Sequence, residues 1–178
     1  MSVASLFLRV DRAERRLCIW ANAAARLRAL RSLFRAVSRL GDGIFWYVLI
    51  ALMPLLRGSD GVWIAAQMLA TGGCGLALYK LMKKRFVRER PYIGLIGIEC
   101  AMPPLDRYSF PSGHTLHAVL FTVLAVTHVP ELAVVVVPFA VLVAMSRIVL
   151  GLHYPTDVLI GAAIGASLAI TSNALMPM

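Results

Sequence analysis

GVWIAAQMLATGGCGLALYKLM, residues 61–82, decides the fold class. Its one charge, Lys80, lies near its end. Its length matches the roughly 20 residues that a helix needs to cross the hydrocarbon core of a bilayer. Backbone N–H and C=O groups find no water there, so the run predicts an α-helix whose hydrogen bonds close internally. Other apolar runs flank it. Residues 44–56 form a shorter run that holds Pro54, with Asp42 just before it. Residues 115–129 and 132–145 meet at the turn His128-Val129-Pro130-Glu131, and residues 158–176 form the last run. The sequence therefore predicts an all-α, multi-span transmembrane bundle of about five spans, or six if residues 17–37 also cross. It reads as one domain over 1–178, with 44–176 as the transmembrane core. Composition agrees: 60% of the residues are hydrophobic and the mean hydropathy is +0.78, whereas soluble domains are about 45–50% apolar.

Residues 11–40 read differently. Arg28, Arg31, Arg35 and Arg39 recur at three- and four-residue steps and share one helix face; Leu30, Leu33, Phe34, Val37 and Leu40 take the other. Each arginine would cost about 2.5–3.5 kcal/mol near the bilayer centre. The expectation is one amphipathic helix lying in the interface with its arginines toward headgroups. Packing on the protein's own surface is the alternative. The apolar stretch within it is broken by Asn22 and followed by more arginines, unlike a standard signal peptide. Residues 83–110 are polar, basic and proline-rich, and predict a loop. Trp20, Trp46, Trp63, Tyr47 and Tyr79 read as interface anchors. Cys18, Cys74 and Cys100 are far apart and fit neither a disulfide framework nor a zinc site.

The net charge of +9 comes from 18 Lys and Arg against 9 Asp and Glu. In so apolar a chain this balance argues against nucleic acid and for anionic membrane lipid or a phosphate-bearing substrate. With five spans, the amphipathic helix, the 83–110 loop and the 146–157 turn share one side, and of all the Lys and Arg only Arg57 falls opposite. The positive-inside rule makes the basic side cytoplasmic.

Three polar clusters interrupt the apolar runs on that side: Lys83, Lys84, Arg85, Arg88, Arg90 and Pro91; then Pro111-Ser112-Gly113-His114; then Ser146-Arg147, His153 and Asp157. Ionisable groups at membrane depth are functional candidates because burying them is costly. Lys83, Arg90 and Arg147 suit convergence on one phosphate dianion, which the planar fork of arginine binds bidentately. Ser112-Gly113-His114 stands where a loop enters a helix, with free backbone N–H groups that favour anions. Ser112 adds a hydroxyl, and Gly113 lets the backbone approach a ligand. His114 suits a general acid for a leaving alkoxide. Asp157, four residues after His153, can fix the imidazole tautomer and leave the other nitrogen nucleophilic. The cations would stabilise the transferring phosphoryl group, so no metal and no cofactor is called for. Lys84, Arg85 and Arg88 read as a solvated run, His117 as a packing residue, His128 as a turn residue, and Glu99 and Asp106 as solvated loop acids with some scope to shape substrate choice.

Lys83-x6-Arg90-Pro91, Pro111-Ser112-Gly113-His114 and Ser146-Arg147-x5-His153-x3-Asp157 together resemble the three-part signature of the type 2 phosphatidic acid phosphatase (PAP2) superfamily. That group includes membrane lipid phosphate phosphatases, undecaprenyl pyrophosphate phosphatases and soluble vanadium haloperoxidases; five apolar spans argue against the last. The motifs cover residues 83–157 in intact order. Outside them only Gly41-Asp42-Gly43 looks similar to short bacterial members. The resemblance implies His153 as nucleophile, Asp157 orienting it, and His114 as acid and base. It implies Lys83, Arg90, Ser112, Gly113 and Arg147 as phosphate ligands. The expected activity is metal-independent hydrolysis of a phosphatidate-type or polyprenyl-linked phosphate or pyrophosphate through a phosphohistidine. A lipid phosphotransferase is the alternative enzyme. A transporter or scaffold that binds anionic lipid is the alternative without catalysis, and it leaves the tripartite spacing unexplained. Oligomeric state is not legible.

Overall fold

A computed structural model describes the backbone of residues 3–176 and the side chains of residues 11–176; the two ends of the 1–178 domain lie outside them. The described residues form seven α-helices: α1 (Val3–Ala23), α2 (Arg28–Arg39), α3 (Phe45–Arg85), α4 (Pro91–Gly94), α5 (Gly113–His128), α6 (Ala133–Val149) and α7 (Pro155–Leu175). No strand occurs among the described residues, as the apolar runs predict. Among the described residues three helical stretches are long and apolar enough to cross a membrane: Arg28–Arg85, Pro130–Val149 and Pro155–Leu175.

The first of these is not straight. Gly58 takes φ 60° and ψ −130° inside α3, a left-handed φ that favours glycine. The chain doubles back there, and a Cβ on Gly61 would stand 2.0 Å from Met53 O. The runs at 44–56 and 61–82 thus become two arms of a tight hairpin. Helix α3 also continues through Lys83, Lys84 and Arg85, so the expected loop begins later, and Pro91 starts the short α4 within it. Proline at the first helical position is pre-set for that start.

The single amphipathic helix expected over residues 11–40 is corrected. A turn of 3₁₀ helix at Ala24–Arg26 and an extended Leu27 (φ −78°, ψ 117°) divide it into α1 and α2. The arginine face of α2 is also not all turned to headgroups. Arg31 Nε donates to Ala25 O at 2.8 Å, the Arg31 guanidinium pairs with Glu99, and Arg35 Nε donates to Ala101 O. Two of the four arginines therefore clasp the loop before α5, while Arg28 and Arg39 remain exposed.

The core lies where both arms of α3 meet α5 and α6, around Trp46, Met53, Met68, Leu116, Leu120, Leu124, Val136 and Val143. Trp46 is fully enclosed there, not an interface anchor; Trp20, Trp63 and Tyr47 are exposed. Large apolar side chains such as Leu55, Val62, Val134, Leu159 and Ile170 point outward, as lipid-facing positions do. Helices α5 and α7 approach most closely. A Cβ on Gly161 would lie 2.5 Å from Ser112 O, and one on Gly165 would lie 2.2 Å from Leu116 O. This small-xxx-small spacing brings two backbones together and sets the start of α5 against the start of α7.

Candidate active site

That contact assembles the site. Ser112 caps α5: its Oγ lies 3.5 Å from Thr115 N and 2.9 Å from Thr115 Oγ1, and its backbone N–H donates to Asp157 O at 3.0 Å. Ser112 is wholly buried, and its hydroxyl is engaged in capping. Gly113 has a second reason to lack a side chain, because a Cβ there would sit 2.6 Å from the Tyr79 ring.

His153 stands in the turn between α6 and α7. Its backbone N–H and that of Leu152 both donate to Arg147 O at 3.0 Å, and Gly151 turns the chain at φ +75°. The side chain is buried, and Arg90 NH1 lies 3.3 Å from its Nε2. A guanidinium is only a donor, so that contact makes Nε2 the acceptor and puts the ring proton on Nδ1. Nδ1 faces Asp157 Oδ2 at 3.7 Å, beyond hydrogen-bond range. The nearer claims on Asp157 are the Tyr154 N–H, which donates to Oδ2 at 2.8 Å, and Arg88, which donates to Oδ1 at 2.7 Å. Burial holds the His153 pKa well below the usual imidazole range. The charges of Arg147, Arg90, Lys83 and His114 push it the same way, so the ring is neutral at neutral pH.

Arg88 is the main correction to the expected solvated run. It binds Asp157, Thr156 Oγ1 at 2.8 Å and Glu14 of α1, and it stacks 4.0 Å over the Tyr154 ring. Asp157 is fully buried, so Arg88 supplies the opposite charge that such a carboxylate requires.

The cations form a second layer. Arg90 and Arg147 are almost wholly buried and Lys83 nearly so. Arg90 NH1 also donates to Leu152 O at 2.8 Å. Arg147 NH1 donates to Ser38 of α2, while its Nε has no protein partner. Lys83 and Arg90 share Asp106 Oδ1, each at 2.7 Å, and Tyr79 OH donates to Asp106 Oδ2. Tyr79 therefore belongs to the site and not to an interface girdle. Burial opposes ionisation of Asp106. The hydrogen bonds from Lys83 and Tyr79 and the charges of Lys83 and Arg90 outweigh it and hold the carboxyl below its usual range.

His114 faces Asp42, whose Oδ1 lies 2.5 Å from Nε2. The carboxylate thus covers the Nε2 side of the ring. Asp42 is placed by a π-helical turn, Leu40–Ile44, with Gly43 at φ 144°; such turns recur at functional sites. Arg147 Nε is a buried nitrogen with no hydrogen-bond partner among the described residues; buried polar atoms are normally satisfied, so it marks a position that a polar ligand can fill. A cavity of about 340 Å³ opens beside His114, polar at Asp42 and His114 and apolar toward Ile50, Leu69, Leu76 and Phe121.

His117 packs as expected, its ring nitrogens 2.9 Å from Gly113 O and 3.3 Å from Gly72 O. His128 ends α5 rather than sitting in the turn, with Nε2 3.0 Å from Gln67 Oε1. Sequence reasoning did not assign Glu14, Ser38, Asp42, Tyr79 or Arg88 to the site. For Asp42 there was a signal, an acid between two glycines at the mouth of an apolar run.

Residues 61–178 match the family model for the PAP2 superfamily. The chain is 33% identical over 137 residues to the decaprenylphosphoryl-5-phosphoribose phosphatase of Mycobacterium tuberculosis, across 75% of this chain and 73% of that protein. It superposes with TM-score 0.72 on the crystal structure of a transmembrane PAP2-type phosphatidylglycerolphosphate phosphatase from Bacillus subtilis, at 27% identity, covering 94% of this chain and 86% of that one. With LpxE of Aquifex aeolicus the TM-score is 0.77 at 27% identity, covering 89% and 93%.

Proposed function

Because this chain belongs to the PAP2 superfamily, we propose that it is a multi-pass membrane enzyme that hydrolyses the terminal phosphate of a lipid. The observation that carries the reading is a neutral, buried His153 surrounded by the charges of Arg147, Arg90 and Lys83, with His114 nearby on the wall of a largely apolar cavity.

In this reading His153 Nε2, the nitrogen left unprotonated by its Arg90 contact, attacks phosphorus and forms a phosphohistidine. His114 gives a proton to the departing lipid oxygen, then takes one from the water that releases phosphate. Lys83, Arg90 and Arg147 hold the phosphoryl oxygens as charge spreads over them, with the Ser112-Gly113 backbone at the start of α5 beside them. Asp157 lies on the Nδ1 side of His153 and faces the positive charge that develops on the ring. The apolar cavity beside His114 suits the lipid chain of the leaving group. Residues 1–178 act as one domain, with the site on the cytoplasmic face of a bacterial inner membrane.

The relatives act on a polyprenyl-linked phosphoribose and on phosphatidylglycerol phosphate, judged by their names. Both present a terminal phosphomonoester at headgroup depth, and that is the substrate class proposed here. The test is inorganic phosphate release from a panel of lipid phosphates by the purified protein with EDTA present, beside His153→Ala. Release that survives EDTA and disappears in the variant supports the reading. No release from any of them shifts the assignment to transfer onto a lipid acceptor.

A further inference from the structure

The phosphate-binding cations already hold an anion of the chain's own. Asp106 Oδ1 accepts from Lys83 Nζ and from Arg90 NH2, each at 2.7 Å, and Oδ2 accepts from Tyr79 OH. The backbone of the same segment joins in: Arg90 Nε donates to Asp106 O at 3.1 Å and Lys83 Nζ to Tyr108 O. Asp106 is about one-third exposed, whereas Lys83 and Arg90 beneath it are nearly or wholly enclosed. Its segment runs without helix between α4 and α5, and its neighbour Leu105 lines the cavity beside His114. One guanidinium separates the carboxylate from His153, since the Arg90 that donates to Asp106 through NH2 touches His153 Nε2 through NH1.

We infer that Asp106 is a specificity-determining residue: a tethered carboxylate that a terminal phosphomonoester displaces from Lys83 and Arg90 and that a phosphodiester does not. The inference rests on the phosphatase reading, because it takes those two cations as the phosphate cradle. Cations at a membrane surface attract anionic lipid, at about 1 kcal/mol per Lys or Arg. The bulk anionic lipids are phosphodiesters with a single negative charge. A carboxylate matches that charge and also offers two acceptor oxygens, and its tether gives it an effective concentration in the millimolar range. Exchanging it for a phosphodiester therefore gains nothing. A phosphomonoester brings a charge of about −1.5 to −2 at pH 7 and three acceptor oxygens, which gives it the advantage over the tethered group. The low carboxyl pKa keeps Asp106 charged at neutral pH. Discrimination of this kind comes from what the site rejects as much as from what it attracts.

The test compares wild type with Asp106→Asn, which keeps the shape and removes the charge, in detergent micelles. Steady-state hydrolysis of a lipid phosphomonoester is measured with and without phosphatidylglycerol as a competing phosphodiester. The expected result for Asp106→Asn is inhibition by phosphatidylglycerol at about tenfold lower concentration than wild type requires, a lower KM for the monoester, and a kcat within a few-fold of wild type. Tyr79→Phe frees one carboxylate oxygen without changing charge, and is expected to shift the same ratio in the same direction by less. It also serves if Asp106→Asn does not fold. Inhibition by phosphatidylglycerol unchanged in both variants, or a KM that rises in Asp106→Asn, overturns the inference and leaves Asp106 as a clamp that holds the cradle together. Wild-type turnover separates the two failures: if wild type hydrolyses the monoester, only the role of Asp106 is lost, and if it hydrolyses none, the phosphatase reading falls with it.

Discussion

Replacing Gly161 with alanine is expected to slow catalysis about 100-fold while the protein stays folded. A Cβ at this position would sit 2.5 Å from Ser112 O, whereas ordinary contact begins near 3.4 Å, so α5 and α7 must part by about 0.9 Å. The displaced element is the one that carries Ser112, Gly113 and His114, and it moves relative to the start of α7 beside His153. The Ser112 N–H bond to Asp157 O, 3.0 Å long, lies across the same contact and lengthens with it. A misplacement of about 1 Å between reacting groups costs on the order of 100-fold in rate, or about 2.7 kcal/mol of barrier. Alanine is also about 1 kcal/mol better than glycine inside a helix, which offsets part of the steric cost. Melting temperature alone is therefore a poor readout. The assay is steady-state phosphate release, with kcat and KM resolved, on protein whose helical circular dichroism matches wild type. A kcat within threefold of wild type refutes the argument that the α5–α7 contact sets the distance between the two histidines.

Arg88→Gln removes the cation paired with the buried Asp157. Removing one partner of a buried ion pair costs about 3–5 kcal/mol, and the partial exposure of Arg88 places this case at the low end. Thermal unfolding in detergent should show a clear drop in Tm, and a Tm equal to wild type would mean that Asp157 does not depend on Arg88. Acid should also weaken the fold through His153. Its folded pKa is held far below the ordinary 6.5 by burial and by neighbouring cations, so the unfolded chain binds a proton that the folded chain does not. The stability it contributes is present above pH 6.5 and is lost as pH falls from there toward the folded pKa, by up to about 1.4 kcal/mol per pH unit. Comparing Tm at pH 7.5 and 5.5 in wild type and His153→Gln tests this; the variant should show the shallower fall, and identical slopes would contradict it.

The long apolar runs were legible because lipid imposes a simple demand on composition, and the stretches around 61–82, 132–145 and 158–176 meet it. The polar motifs proposed to carry the chemistry were legible because their charges stand out in apolar surroundings and keep a fixed spacing. What the sequence hid was mostly long-range. Nothing near Arg88 distinguishes it from Lys84 or Arg85 until the fold brings it to Asp157, 69 positions away. Asn22 interrupts an apolar stretch because it donates to Val149 O and Glu99 O, each at 3.0 Å, which pins α1 to the site loops. The break between α1 and α2 escaped the periodicity because no proline or glycine marks it; docking of Ala25 into a small second core with Phe34, Leu150 and Leu152 bends the chain there. Tyr79 read as an interface aromatic because ring type and position in a span carry no information about Gly113, against which it packs.

The central claim is that His153 takes the phosphoryl group from the lipid. The most direct measurement is rapid quenching of the reaction with a lipid carrying ³²P in its terminal phosphate, followed by isolation of labelled protein. The account predicts transient label on His153, stable to alkali and lost in acid, and none on His153→Ala. Phosphate released at full rate by His153→Ala, or label on a different residue, would contradict it.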